Sequence, residues 1–373
     1  MHSNPNRPIA WWLFTCCLMV FATLVVGGVT RLTQSGLSIV EWQPLIGALP
    51  PLTDAHWQEL FARYQHSPQF VKVNADMTLD GFKFIFWWEW AHRLLARTIG
   101  LVFFLPFLWF LVTRRIGRAL APKLFVFFLL GGLQGAMGWY MVKSGLVDDP
   151  RVSQYRLAAH LGLAFLIFGL MLWTGLGLLR ERTAASPGTQ LRRVQLAGAV
   201  LTVLLFVMVL SGALVAGTHA GAIYNTFPLM GDHFVPEEVL ALQPVWLNFF
   251  ENHSTLQFDH RLLAWTLFIL LPLFCWRART IAPWSRNAAF AVLAMLGVQL
   301  ALGISTLLAH VPLGLAATHQ VGAMVVDRLR ADAELRGDFL GAVALSNELQ
   351  DLTLAIREEV RGITGRRVGH DIP

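Results

Sequence analysis

The feature that most constrains this sequence is a series of apolar runs, each long enough to cross a bilayer and separated by short charged segments. Such runs lie near residues 9–29, 84–112, 122–142, 156–179, 194–216, 258–276 and 287–309, with a shorter one near 312–326. A spanning helix needs roughly 20 apolar residues in succession, because lipid offers no partner to an open backbone N–H or C=O. The sequence therefore predicts an all-α, polytopic membrane protein with eight transmembrane helices. Composition agrees: 55% of the 373 residues are hydrophobic, 14% are charged, and the mean hydropathy is +0.54. A soluble core of this length needs far less apolar side chain. The first run, Ile9 to Val29, exceeds a signal-peptide core and lacks a small-residue cleavage pattern, so it reads as a retained helix.

A net charge of +6 and a pI near 9.6 do not signal nucleic-acid binding here, because the basic residues sit in clusters between the runs. Arg114, Arg115, Arg118 and Lys123 form one cluster, Arg180, Arg182, Arg192 and Arg193 a second, and Arg277, Arg279 and Arg286 a third. These loops alternate along the chain, so the positive-inside rule places them and both termini in the cytoplasm. The three cysteines, Cys16, Cys17 and Cys275, all fall in or beside apolar runs, which excludes a disulfide between outer loops. Two opposite loops, 30–83 and 217–257, are long and are expected to form structured caps. Their tryptophans, Trp42, Trp57 and Trp246, are expected to be interfacial anchors.

An internal repeat divides the membrane region. Trp90-Ala-His92-Arg-Leu-Leu-Ala opens the second run and Phe258-Asp-His260-Arg-Leu-Leu-Ala the sixth. Gly132-Leu-Gln134-Gly-Ala-Met-Gly138 is answered by Gly297-Val-Gln299-Leu-Ala-Leu-Gly303, and Leu157-Ala-Ala-His160 by Ala316-Ala-Thr-His319. Gln43-Pro44-Leu-Ile-Gly47 in the first outer loop has an echo in Phe227-Pro228-Leu-Met-Gly231. The expected architecture is two pseudo-symmetric four-helix bundles of the same orientation. The first half covers 1–183 and the second 184–326, with a polar cytoplasmic tail over 327–373.

Four of the twelve histidines, His92, His160, His260 and His319, stand at repeat-equivalent positions near the outer starts of runs. A single intramembrane histidine is as often a packing residue as a ligand, but four at matched depth point to ligation. Two imidazoles on facing helices of an apolar bundle suit haem iron, whereas zinc wants three or four ligands gathered together. Gly131, Gly132, Gly135 and Gly138 would let a flat macrocycle approach the backbone, or let helices pack closely. Arg93 and Arg261, each following a histidine, are suited to a haem propionate or to snorkelling at the interface. Gln134 and Gln299 read as links between helices. The halves differ three residues before the first histidine, where Glu89 faces Gln257 in the repeat. A carboxylate there is costly in lipid unless it is solvated or used, which makes Glu89 the candidate for proton transfer or cation stabilisation.

At these residues the chain resembles the haem A synthase family, in the form without cysteine pairs in its outer loops. The matching text is Gly27-Gly28-Val-Thr-Arg31-Leu-Thr-Gln-Ser-Gly36-Leu-Ser-Ile-Val-Glu41-Trp42-Gln-Pro44, then Phe82-Lys-Phe-Ile-Phe-Trp-Trp-Glu89-Trp-Ala-His92-Arg93, then His260-Arg261 and His319-Gln320. The resemblance runs from about residue 9 to 325. It implies an oxidoreductase that converts the C8 methyl of haem O to a formyl group, giving haem A for terminal oxidases, by successive hydroxylations and loss of water. It further implies that His260 and His319, with Arg261, hold a haem b cofactor, and that His92 and His160, with Arg93, hold the substrate haem O beside Glu89. Implied partners are haem O synthase, terminal-oxidase assembly factors, an unidentified electron partner, membrane lipid and a second copy of the chain, with the haem sites toward the periplasm. One departure stands out: only seven apolar or small residues follow His319 before Asp327, too few for a complete eighth span. Two other classes compete, a di-haem b-type electron-transfer cytochrome and a transporter. The position of the histidines toward one surface argues against the transporter, and Glu89 argues against the cytochrome.

Overall fold

The structure is a computed structural model describing residues 5–41, 46–146, 150, 152–179, 189–281 and 285–323. Among the described residues regular structure is helical, apart from one isolated bridge between Met230 and His233. The helices are α1 (Arg7–Leu32), α2 (Asp54–Gln65), α3 (Pro68–Lys72), α4 (Leu79–Val112), α5 (Leu120–Gly145), α6 (Gln154–Leu179), α7 (Thr189–Gly217), α8 (Asn248–Glu251), α9 (His253–Ala278) and α10 (Ser285–Leu308). A final helix, α11, occupies 313–323. Seven of them, α1, α4, α5, α6, α7, α9 and α10, are long and apolar enough to cross a membrane. At 26 residues, α1, α6 and α9 are about 39 Å long, more than a hydrocarbon core requires. The expected eighth span is described only as far as residue 323, and the tail at 327–373 lies outside the described residues.

Helix α1 packs against α4 and α6, and α5 bridges α4 and α6, which closes a four-helix group around Leu13, Cys16, Phe107, Leu124 and Phe168. In the second half α7 packs on α9 and α9 on α10, around Leu201, Leu267, Leu271 and Leu296. The halves meet where Gly162 of α6 receives Leu210 of α7, and where Gly28 of α1 receives Gln320 of α11. Small residues at both crossings let the backbones approach, the usual device of helix packing in lipid. All three cysteines are buried in these cores and none is in a disulfide.

The outer loops are folded caps. In the first, Thr53, Ser67 and Thr78 each accept a hydrogen bond from a backbone N–H of the next turn, and so start α2, α3 and α4. Helix α4 begins well outside the apolar run, so that Phe82, Ile85 and Phe86 pack with Trp57 and Tyr64 of α2. Trp57 is therefore a core residue of the cap, only 7% exposed, and not the interfacial anchor expected of it. Burying it against Phe86 and Phe82 removes more apolar area from water than an interfacial position would. Trp246 in the second cap is 61% exposed, as an anchor would be, and Trp42 lies outside the described residues. The second cap is held largely by polar contacts. Buried Asn248 donates to the carbonyls of Leu242 (2.8 Å) and Val245 (2.9 Å) and accepts from Leu242 N–H (2.9 Å). Glu251 accepts from Gln154 (2.9 Å) and Tyr155 (2.5 Å), which ties this cap to the start of α6 in the other half.

Candidate functional site

His160, His260 and His319 each stand about two turns into their helices, α6, α9 and α11. His92 stands further along α4, whose first turns belong to the cap. Two pairs result. His92 and His160 lie within electrostatic reach of one another, and so do His260 and His319. Among the described residues no group of three or more His, Cys, Asp or Glu side chains is gathered around one point.

Every one of the four rings turns its Cε1 toward a glycine on a neighbouring helix. A Cβ built on Gly27 of α1 would sit 2.6 Å from Cε1 of His92, and one on Gly212 of α7 would sit 3.1 Å from that of His260. Likewise Gly138 of α5 faces His160 at 3.2 Å, and Gly303 of α10 faces His319 at 2.9 Å. These glycines are needed because the rings occupy the space a side chain would take. Gln134 donates to the His160 carbonyl at 3.0 Å, and Gln299 donates to the His319 carbonyl at 2.7 Å. They are the interhelical links expected, and each fixes the backbone that carries a ring.

The ring nitrogens complete the picture. His92 Nδ1 lies 3.2 Å from the Thr23 carbonyl, and His260 Nδ1 lies 3.2 Å from the Ser211 hydroxyl. Both contacts engage Nδ1, so that Nε2 is the nitrogen each ring could offer to a metal. His160 Nδ1 and His319 Nδ1 are buried with no hydrogen-bond partner among the described residues, as are the Oε1 atoms of Gln134 and Gln299. Two imidazoles per half, each against a glycine and one of the two held through its Nδ1, fit an axially ligated iron macrocycle.

Glu89 is 2% exposed, so it is not a solvated interfacial carboxylate. Its Oε2 accepts from Ser38 Oγ (2.7 Å) and Ile39 N–H (2.8 Å), and its Oε1 accepts from Arg93 (2.5 Å). Arg93 also donates to the Ile39 carbonyl at 3.1 Å. In the second half Gln257 donates to the Tyr224 carbonyl (3.0 Å), to which Arg261 also donates (3.0 Å). Arg261 reaches the carbonyls of Thr226 (3.0 Å) and Leu229 (3.1 Å) as well. Outside the membrane, the Tyr224 hydroxyl donates to Glu238 at 2.7 Å and holds that carboxyl below the usual range. Both arginines thus bind the loop that follows the first helix of their half. Neither is a loose snorkelling side chain.

The sequence is similar to known proteins over most of its length. A family model described as cytochrome oxidase assembly protein matches residues 10–327. The haem A synthase of Nitrosospira multiformis is 58% identical over 324 residues, covering 86% of this chain and 91% of the relative. That of Nitrosomonas eutropha is 52% identical over 328 residues (87% and 92%), and that of Parvibaculum lavamentivorans is 52% identical over 326 residues (86% and 92%). The chain belongs to the haem A synthase family. The matched stretch includes α1 to α11 and all four histidines.

Of the residues named from sequence, Glu89, His92, Arg93 and His160 stand on α4 and α6 of the first half, and His260, Arg261 and His319 on α9 and α11 of the second. Thr23, Ser38, Ile39, Ser211 and Gly212, which contact them, were not named. Thr23 and Ile39 act through the backbone and leave no side-chain signature. Ser211-Gly212 lies in an apolar stretch of α7, where small residues ordinarily signal packing.

Proposed function

We propose that this chain is a haem A synthase of the bacterial inner membrane, oxidising the C8 methyl of haem O to a formyl group for use by terminal oxidases. The observation that carries the reading is a buried carboxylate at one of two similar histidine sites and an amide at the other: Glu89 in the first and Gln257 in the second. His92 and His160 would hold the iron of the substrate haem O. His260 and His319 would hold haem b, which when bound supplies one-electron redox chemistry.

The residues of the chain divide the remaining work. Thr23 and Ser211 orient the imidazoles on α4 and α9, and the glycines fix how closely the rings approach the neighbouring helices. Arg93 and Arg261 sit near the outer surface, where their positive charge favours haem propionates at that end. Glu89 is held by three donors, so its carboxylate cannot swing when substrate enters. It provides a fixed negative group in an apolar site, able to accept a proton or to stabilise positive charge developing on the substrate. The two-half organisation, with 1–183 serving substrate and 184–326 serving cofactor, follows from this assignment. Both termini then lie in the cytoplasm and both haem sites toward the periplasm. Haem O synthase would supply the substrate, and terminal-oxidase assembly factors and an electron partner complete the expected setting.

The test is extraction and chromatography of the haems from protein purified from cells that make haem O. Haem b together with haem O and haem A is expected. Haem b alone, at two per chain, would instead make the protein a di-haem electron-transfer cytochrome.

A further inference from the structure

The third helix of each half, α5 or α10, reaches the fourth through a matched glutamine, yet the two amides rest differently. Gln134 and Gln299 each donate to the backbone carbonyl of a ligand histidine, at 3.0 Å and 2.7 Å. In the first half the same Nε2 of Gln134 also lies 3.4 Å from Nε2 of the His160 ring. In the second half, among the described residues, Gln299 bonds the His319 carbonyl and not the ring. Because the Gln134 nitrogen faces a carbonyl and a ring nitrogen together, it is the donor to both, one N–H to each. With the ring neutral, its Nε2 lone pair accepts that bond and the proton sits on Nδ1. The lone pair so engaged is the one His160 could offer to iron. At 3.4 Å the bond is long and easily given up.

The residue three places after each histidine accounts for the difference. In the second half it is Gly322, where a built Cβ would collide with Oε1 of Gln299. That amide occupies the space a side chain would otherwise take. In the first half the matching residue is Leu163, which packs on the core of that half. A side chain there closes the space, and the Gln134 amide turns to the ring instead.

We propose that Gln134 guards the ligating nitrogen of His160, so that a haem entering the first half must displace an amide N–H before its iron can bind. Gly322 keeps Gln299 off the His319 ring, and the second half holds its haem without that competition. The proposal rests on the assignment of the substrate haem to the first half, where the bound molecule must leave after each turnover. It makes Gln134 a positioning residue that lowers the affinity of the first site, with Leu163 setting its direction.

The test uses protein purified with haem b in place and titrated with protohaem, following the Soret change. Gln134→Leu is expected to bind protohaem roughly fivefold more tightly than wild type, because a hydrogen bond made only by the empty site is gone. The sign decides. Were the glutamine only a brace for the backbone of α6, its loss would loosen His160 and weaken binding. Leu163→Ala keeps the glutamine and its bond to the carbonyl but opens the space that Gly322 provides in the second half, so it should tighten binding too, by less. The spectrum of the added haem should remain that of a bis-imidazole complex in both variants, which reports that His160 is still the ligand. Unchanged or weaker binding in either variant, or a spectrum without the second imidazole, overturns the proposal and leaves Gln134 a helix link. If wild type with haem b in place takes up no second haem, the functional reading itself fails and the proposal falls with it.

Discussion

The two halves place the same parts in the same order and then differ at three points. Each has an imidazole against a glycine of its first helix, a second imidazole against a glycine of its third, a glutamine clasping the backbone of the second ligand, and an arginine gripping the loop above. The first half has Glu89 where the second has Gln257, a main-chain acceptor behind His92 where His260 has a hydroxyl, and exposed Gly131 and Gly135 where the second has Leu296 and Leu300 packed in its core. The shared parts are those that would hold a macrocycle. The differences are those that would tell a substrate from a resident cofactor, the carboxylate first among them.

The strongest way to break this comparison is to remove one ligand from each half. His260→Ala is expected to strip haem b from the purified protein almost completely. His92→Ala should leave haem b at its wild-type ratio while conversion of haem O becomes undetectable, read by haem chromatography. If His92→Ala empties the second site too, the halves do not work separately. Next in size, Glu89→Gln gives the first half the residue of the second. Turnover should fall by roughly 10²–10⁴ with haem O still bound, the usual span for losing a general acid–base group. Undiminished turnover would take Glu89 out of the chemistry.

A smaller contrast tests the cradles. Gly27→Ala drives a methyl to 2.6 Å from the His92 ring, whereas Gly212→Ala brings one to 3.1 Å from His260. The first variant should lose most of its haem O, and the second should keep haem b with a modestly altered Soret band. Equal effects would mean that the rings are not held as tightly as their contacts imply. The smallest expected change is in Ser38→Ala, which removes one of three donors to Glu89. Losing such a bond is worth about 1 kcal/mol, or roughly fivefold in turnover.

The helical class and most of the spans were legible because lipid imposes a length and a composition that few other structures share. The repeat was legible because it preserved residue types that lipid penalises, histidine, arginine and glutamine, at fixed intervals. Glu89 stood out for the same reason. What sequence could not yield were contacts made by the backbone, such as the Thr23 carbonyl and the Ile39 N–H, since any residue supplies those groups. Trp57 was misjudged because an aromatic residue in an outer loop is suited to a membrane interface and to a small folded cap alike. Only the neighbours, Phe82 and Phe86, decide between them. The glycines of α5 were read as a surface for a macrocycle or for helix packing.

Helix α1 carries two adjacent glycines with different neighbours: Gly27 abuts the His92 ring, and Gly28 abuts Gln320, the residue after His319. One helix therefore touches a ring of the first half and a side chain of the second, and a translation or roll of α1 is felt in both.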